Sequence, residues 1–111
     1  MKELQVEGRA IPLDKDGYLA DLNDWNAAVA DALALREGLE LSAEHWEILH
    51  LLRDFYAQFQ LSPATRPLIK YTAQHLGADK GNSLHLNRLF KGTPAKLAAK
   101  LAGLPKPTNC I

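Results

Sequence analysis

Ser42-Ala43-Glu44-His45-Trp46-Glu47-Ile48-Leu49-His50-Leu51-Leu52-Arg53-Asp54-Phe55-Tyr56-Ala57-Gln58-Phe59-Gln60 is the stretch on which the fold turns. Ser42 supplies a helix N-cap, and Glu44 suits the positive end of the helix dipole. From Trp46 to Phe59 the large apolar side chains cover more than one face of a helix. That pattern predicts the central buried helix of a bundle over residues 43–60. His45 and His50 lie five apart, roughly 500° of helix rotation at ~100° per residue, so they point in different directions and make a poor metal pair.

Upstream, Trp25, Val29, Ala32 and Leu33 recur at helical spacing and predict a helix over 24–37, capped by Asn23 and stopped by Gly38. Before it, Leu4 and Val6 alternate with polar residues, Gly8-Arg9 signals a turn, and Ile11 and Leu13 return inward. Pro12 then requires an edge position, and Tyr18-Leu19 is expected to add a short third strand. Such a ribbon must pack on helices to be stable.

Downstream, Leu61-Ser62-Pro63-Ala64 breaks the long helix. Thr65 is expected to cap a third helix, with Pro67 in its first turn and Leu68, Ile69, Thr72 and Leu76 inward up to Gly77. Arg66 and Lys70, four apart, share a face of that helix. The outline over 47–77 looks like a helix–turn–helix, although a helical corner with a solvated basic edge has the same pattern. Lys80-Gly81 lacks the glycine spacing of a phosphate loop. Ser83 is expected to cap a short helix over 84–90. Thr93-Pro94 opens a last helix to about Ala102, where Gly103 ends it and releases an arm.

The fold class expected is therefore mainly α: a small orthogonal bundle of about five helices, an N-terminal β-ribbon and an extended C-terminal arm. At 111 residues the chain fits one domain, divided into ribbon 1–20, helical body 21–102 and arm 103–111. Thirteen basic residues balance thirteen acidic ones, which excludes a whole-chain attraction to nucleic acid or membrane. No apolar run is long enough to span a bilayer, and residues 1–13 lack the apolar core of a signal peptide. One cysteine excludes an internal disulfide and fits a reducing compartment, so a cytoplasmic protein is expected. No cofactor or metal set stands out.

That cysteine lies on the arm Gly103-Leu104-Pro105-Lys106-Pro107-Thr108-Asn109-Cys110-Ile111. Neither proline can continue a helix, and from Gly103 to Cys110 the arm can span roughly 20–25 Å at ~3.1–3.6 Å per residue. The Gly-Leu-Pro-Lys-Pro-x-x-Cys-Ile ending resembles the DsrC/TusE family of sulfur-carrier proteins. So do the words Glu44-His45-Trp46, Arg53-Asp54-Phe55-Tyr56, Ser62-Pro63-Ala64-Thr65-Arg66, Lys80-Gly81-Asn82-Ser83 and Leu89-Phe90, in that order. The likeness runs from about Gly8 to Ile111. Lys91 and Thr93 depart from the proline and glycine usual in that family.

The resemblance implies a sulfurtransferase in the sense of a covalent persulfide carrier, with Cys110 as acceptor. Family members that work with dissimilatory sulfite reductase have a second cysteine eleven positions earlier; here that position is Ala99. The single thiol is similar to the TusE branch. For that branch the resemblance implies an upstream Tus sulfur-donor complex and a downstream tRNA 2-thiouridylase as partners, with tRNA engaged indirectly, for wobble-uridine 2-thiolation. The alternative is a DsrC-like regulatory or DNA-binding helix–turn–helix module. Chemically, the thiolate is the nucleophile of any sulfur exchange, and the Ile111 carboxylate beside it disfavours that form. Lys106 on the arm, and Arg66 and Lys70 if the arm folds back, are the candidate cations to offset it.

Overall fold

In the computed structural model, which describes residues 2–107, the ribbon pairs β1 (Lys2–Val6) with β2 (Arg9–Leu13) in antiparallel register, Leu4 opposite Ile11. Glu7 and Gly8 make the turn, both with positive φ (51° and 81°), as a two-residue hairpin with the right twist demands. Leu4, Val6, Ile11 and Leu13 are buried on one face, which packs on α1 (Ala27–Arg36). The third strand expected at Tyr18-Leu19 reduces to one bridge, Leu13 to Leu19.

Helix α1 starts three residues later than its periodicity suggested. Leu22–Asp24 forms a 3-10 turn, Trp25 is extended, and Asn26, not Asn23, caps α1 by accepting from the Val29 N–H at 2.9 Å. Trp25 therefore belongs to no helical stripe. Its extended backbone carries the indole across to the end of the last helix.

Helix α2 (Ala43–Phe59) is the longest. Ser42 caps it in a reciprocal box in which the His45 ring stands in for the usual Glu or Gln, its Nδ1 accepting from the Ser42 N–H at 3.1 Å. The His45 Nε2 lies 2.8 Å from the Leu89 carbonyl, so this buried ring is engaged at both nitrogens. His50, by contrast, is exposed and stacks on Trp46.

Ile48, Leu49, Leu51 and Leu52 are buried, but the helix then emerges, and Phe59 is 51 % exposed. The central position falls instead to α5 (Pro94–Leu101), which packs on α1, α2, α3 (Thr65–Leu76) and α4 (Ser83–Phe90). Its side chains explain why. Ala95, Ala98, Ala99 and the following Ala102 are all 0 % exposed, and methyl groups let neighbours approach on every side. Long aromatic side chains on α2 marked hydrophobicity; short ones on α5 marked centrality.

Two further caps differ from expectation. Thr65 is the first residue of α3 and Ala64 its N-cap, with no side-chain bond. Pro67 at the third position removes a donor that a capping oxygen would have met. In α4 the cap is Asn82, whose side chain accepts from the His85 N–H at 2.8 Å, one residue before Ser83. No helix among the described residues is long and apolar enough to cross a membrane.

Candidate functional site

The site begins where α5 stops. Ala102 is the C-cap, and Gly103 follows with φ 73°. The Gly103 N–H donates to the Lys100 carbonyl at 3.1 Å and the Leu104 N–H to the Ala99 carbonyl at 2.9 Å. This paired arrangement is the Schellman motif, and it needs a residue that tolerates a left-handed backbone. A Cβ on Gly103 would also meet the Trp25 ring at 2.4 Å, so only glycine fits.

The remaining carbonyls at this helix end are met from two other elements. The Trp25 Nε1–H donates to the Leu101 carbonyl at 2.9 Å. Arg53 of α2 donates from a terminal guanidinium nitrogen to the Ala102 carbonyl at 2.6 Å, and its guanidinium carbon lies 4.2 Å from the Trp25 ring centroid. A cation suits the negative end of a helix dipole. Burial pushes the Arg53 guanidinium below its usual pKa.

Gly103 ends α5 as expected, but the chain is not released there. Leu104 turns back into the core at 2 % exposure. The buried Ser62 hydroxyl, in the turn between α2 and α3, donates to the Pro105 carbonyl at 2.6 Å. Lys106 Nζ stands 3.8 Å from an Asp16 carboxylate oxygen, and Pro107 is buried. The root of the arm is thus held through residue 107, by the ribbon side, by α2 and by the α2–α3 turn.

Cys110 lies outside the described residues, and with it the expectation that Arg66 or Lys70 approaches it. Arg66 and Lys70 are exposed on the first turns of α3, and neither takes an ion-pair partner among the described residues. Lys106 is partnered by Asp16, on the side of the ribbon. The α2–turn–α3 pair forms and packs together. Trp25, Arg53 and Ser62 were not singled out as site residues from sequence, although the last two sit in words that carried the family likeness.

What the arrangement provides is a fastening of the chain three residues before Cys110. The chain matches the family described as DsrC like protein over residues 5–111. It is 52% identical over 108 residues to sulfurtransferase TusE of Salmonella choleraesuis, covering 97% of this chain and 99% of that protein. To the sulfurtransferase TusE homolog of Haemophilus influenzae it is 50% identical over the same shares of both chains. The solution structure of Allochromatium vinosum DsrC matches with a TM-score of 0.89 at 47% identity, over 98% of this chain and 97% of that one. The oxidized γ-subunit of dissimilatory sulfite reductase, DsrC, from Archaeoglobus fulgidus matches with a TM-score of 0.84 at 38% identity, over 99% and 100%.

Proposed function

This chain belongs to the DsrC-like protein family, and on that premise we propose that it works as one domain, a cytoplasmic sulfur-relay carrier that holds persulfide sulfur on Cys110. It takes that sulfur from an upstream Tus donor complex and gives it to a tRNA 2-thiouridylase for wobble-uridine 2-thiolation, meeting tRNA only through that enzyme. The observation that carries this reading is the 52% identity, along 97% of the chain, to a protein named as a sulfurtransferase. Ala99, buried at 0 % in α5, supports the single-thiol form of the chemistry.

The reaction is one of sulfane-sulfur exchange. The Cys110 thiolate attacks the terminal sulfur of a donor persulfide. A new sulfur–sulfur bond forms on Cys110, the donor's bond breaks, and the donor leaves as a thiolate that takes up the proton given by Cys110. The acceptor's thiolate repeats the step and returns Cys110 to a thiol. No net oxidation occurs, so no cofactor is required by the balance. Arg66, Lys70 and Lys106 are proposed to favour the anionic sulfur by their charge.

The test is direct. Incubation with a cysteine desulfurase and donor proteins should add one sulfur to Cys110, read by intact and peptide mass spectrometry, and Cys110→Ser should take up none. Arg66→Ala should slow alkylation and sulfur acceptance at Cys110; unchanged rates would remove Arg66 from the account.

A further inference from the structure

Four lysines converge on one side of the arm's root. Lys91, Lys96, Lys100 and Lys106 line a groove of about 350 Å³ together with Asp16 and Glu37. The Lys100 Nζ is 3.4 Å from a Glu37 carboxylate oxygen and 5.2 Å from the Tyr18 ring centroid, while Lys91 donates to the Glu37 main-chain carbonyl. Lys106 reaches Asp16 only at 3.8 Å, and Lys96 has no ion-pair partner among the described residues. Four ammonium groups thus face two carboxylates, a local positive excess on a chain whose formal charge is zero.

We propose that this groove is the docking site for an extended acidic segment of a protein that exchanges sulfur with Cys110. The inference rests on the carrier reading above and deepens it by naming where such a partner is held. Charge complementarity selects the occupant. In an extended peptide, alternate side chains recur every ~6.6–6.8 Å on one face, so carboxylates can meet the lysines while uncharged residues pass Asp16 and Glu37. A nucleic-acid strand carries a charge at every residue and cannot skip those carboxylates, and a neutral chain offers it no long-range attraction.

Position gives the docking its use. Lys106 belongs both to the groove and to the arm, and Cys110 follows four residues later. The thiol is therefore within about 12–14 Å of Lys106, at ~3.1–3.6 Å per residue. An acidic segment seated in the groove competes with Asp16 for Lys106 and holds the partner's reactive sulfur inside that radius.

The experiment titrates the full-length isotope-labelled chain with a glutamate hexapeptide, a glutamine hexapeptide and a short RNA duplex, followed by NMR. The glutamate peptide should give saturable shifts at Lys91, Lys96, Lys100 and Lys106 that weaken with added salt. The triple variant Lys91→Gln, Lys96→Gln, Lys100→Gln should bind it about tenfold more weakly. Lys96→Gln alone, which breaks no ion pair among the described residues, should weaken it about two- to threefold. Absence of saturable groove shifts, equal binding of the glutamine peptide, or tighter binding of RNA there would each overturn the proposal.

Sulfur transfer separates the two readings. In the triple variant, loading of Cys110 from the protein donor should slow about tenfold, while loading from inorganic polysulfide keeps the wild-type rate. Unchanged loading from the protein donor, or equal slowing with both donors, removes the docking role. Failure of wild-type Cys110 to accept sulfur from either donor removes the carrier reading instead.

Discussion

Helices α2 and α5 both end beside a residue with a left-handed backbone, Gln60 at φ 57° and Gly103 at φ 73°. At Gln60 the flanking residues Phe59 and Leu61 are 51 % and 54 % exposed, and its own side chain bonds back to the Tyr56 and Ala57 carbonyls. At Gly103 the next residue is in the core, a tryptophan covers the turn, and Trp25 and Arg53 close the last carbonyls. Both stops use a left-handed residue, but Gly103 closes a paired Schellman motif while the Gln60 N–H makes one bond, to the Tyr56 carbonyl at 2.8 Å, and the surroundings of each decide its purpose. One end lets a helix run out into solvent. The other fastens residues 101–105 to Trp25, Arg53 and Ser62, all distant in sequence.

The sharpest way to break this contrast is to add one methyl group. Gly103→Ala combines an unfavourable left-handed backbone with overlap on Trp25 and should destabilise by about 2–5 kcal/mol. Gln60→Gly relieves a strained backbone and should be neutral or stabilising by up to about 1 kcal/mol. Urea denaturation of the two variants checks both signs. Next in size, Leu104→Ala should cost about 2–4 kcal/mol, against less than about 0.5 kcal/mol for Leu61→Ala. Equal losses at positions 104 and 61 would mean the arm's root is not anchored.

Removing the polar fastenings sharpens the comparison further. Arg53→Met leaves the Ala102 carbonyl without its charged donor and should cost about 1–3 kcal/mol. Ser62→Ala should cost about 1 kcal/mol, and hydrogen exchange at the Leu104 amide, bonded to the Ala99 carbonyl, should quicken as the Pro105 carbonyl is released.

The smallest effect lies away from both helix ends. The Lys80 Nζ donates to the Glu47 carboxylate at 2.6 Å, and that hydrogen bond raises the Lys80 pKa above its ordinary 10.5. A raised folded-state value means the pair stabilises fully below that ordinary value and loses its contribution as pH rises through the folded one. The stability difference between wild type and Lys80→Met should therefore shrink as pH rises into the alkaline range, read from urea midpoints across pH.

The α2 helix, the ribbon's inward faces and the end of α5 were legible because each rests on a local rule: apolar periodicity, strand alternation, a glycine stop. Centrality was not legible, since Ala95, Ala98 and Ala99 look unremarkable beside Trp46 and Phe55 and matter only once four helices close on them. The start of α1 was misplaced because Asn23 and Asn26 are equally good caps by type, and only the distant Leu101 carbonyl explains why Trp25 stays extended. Likewise Ser62 reads as a helix breaker, and its bond to Pro105 spans 43 positions that no periodicity connects. Cys110 lies outside the described residues, so its chemistry stays a reading of residue type and position, while the anchoring of the arm's root depends on contacts between remote segments.

The most direct test of the central claim follows a labelled sulfane sulfur from donor protein to this chain and on to tRNA in a strain lacking the native copy. The account predicts one labelled sulfur on Cys110, thiolated tRNA with the wild-type chain, and neither with Cys110→Ser, whose fold should be unchanged. Thiolated tRNA restored by Cys110→Ser would contradict it.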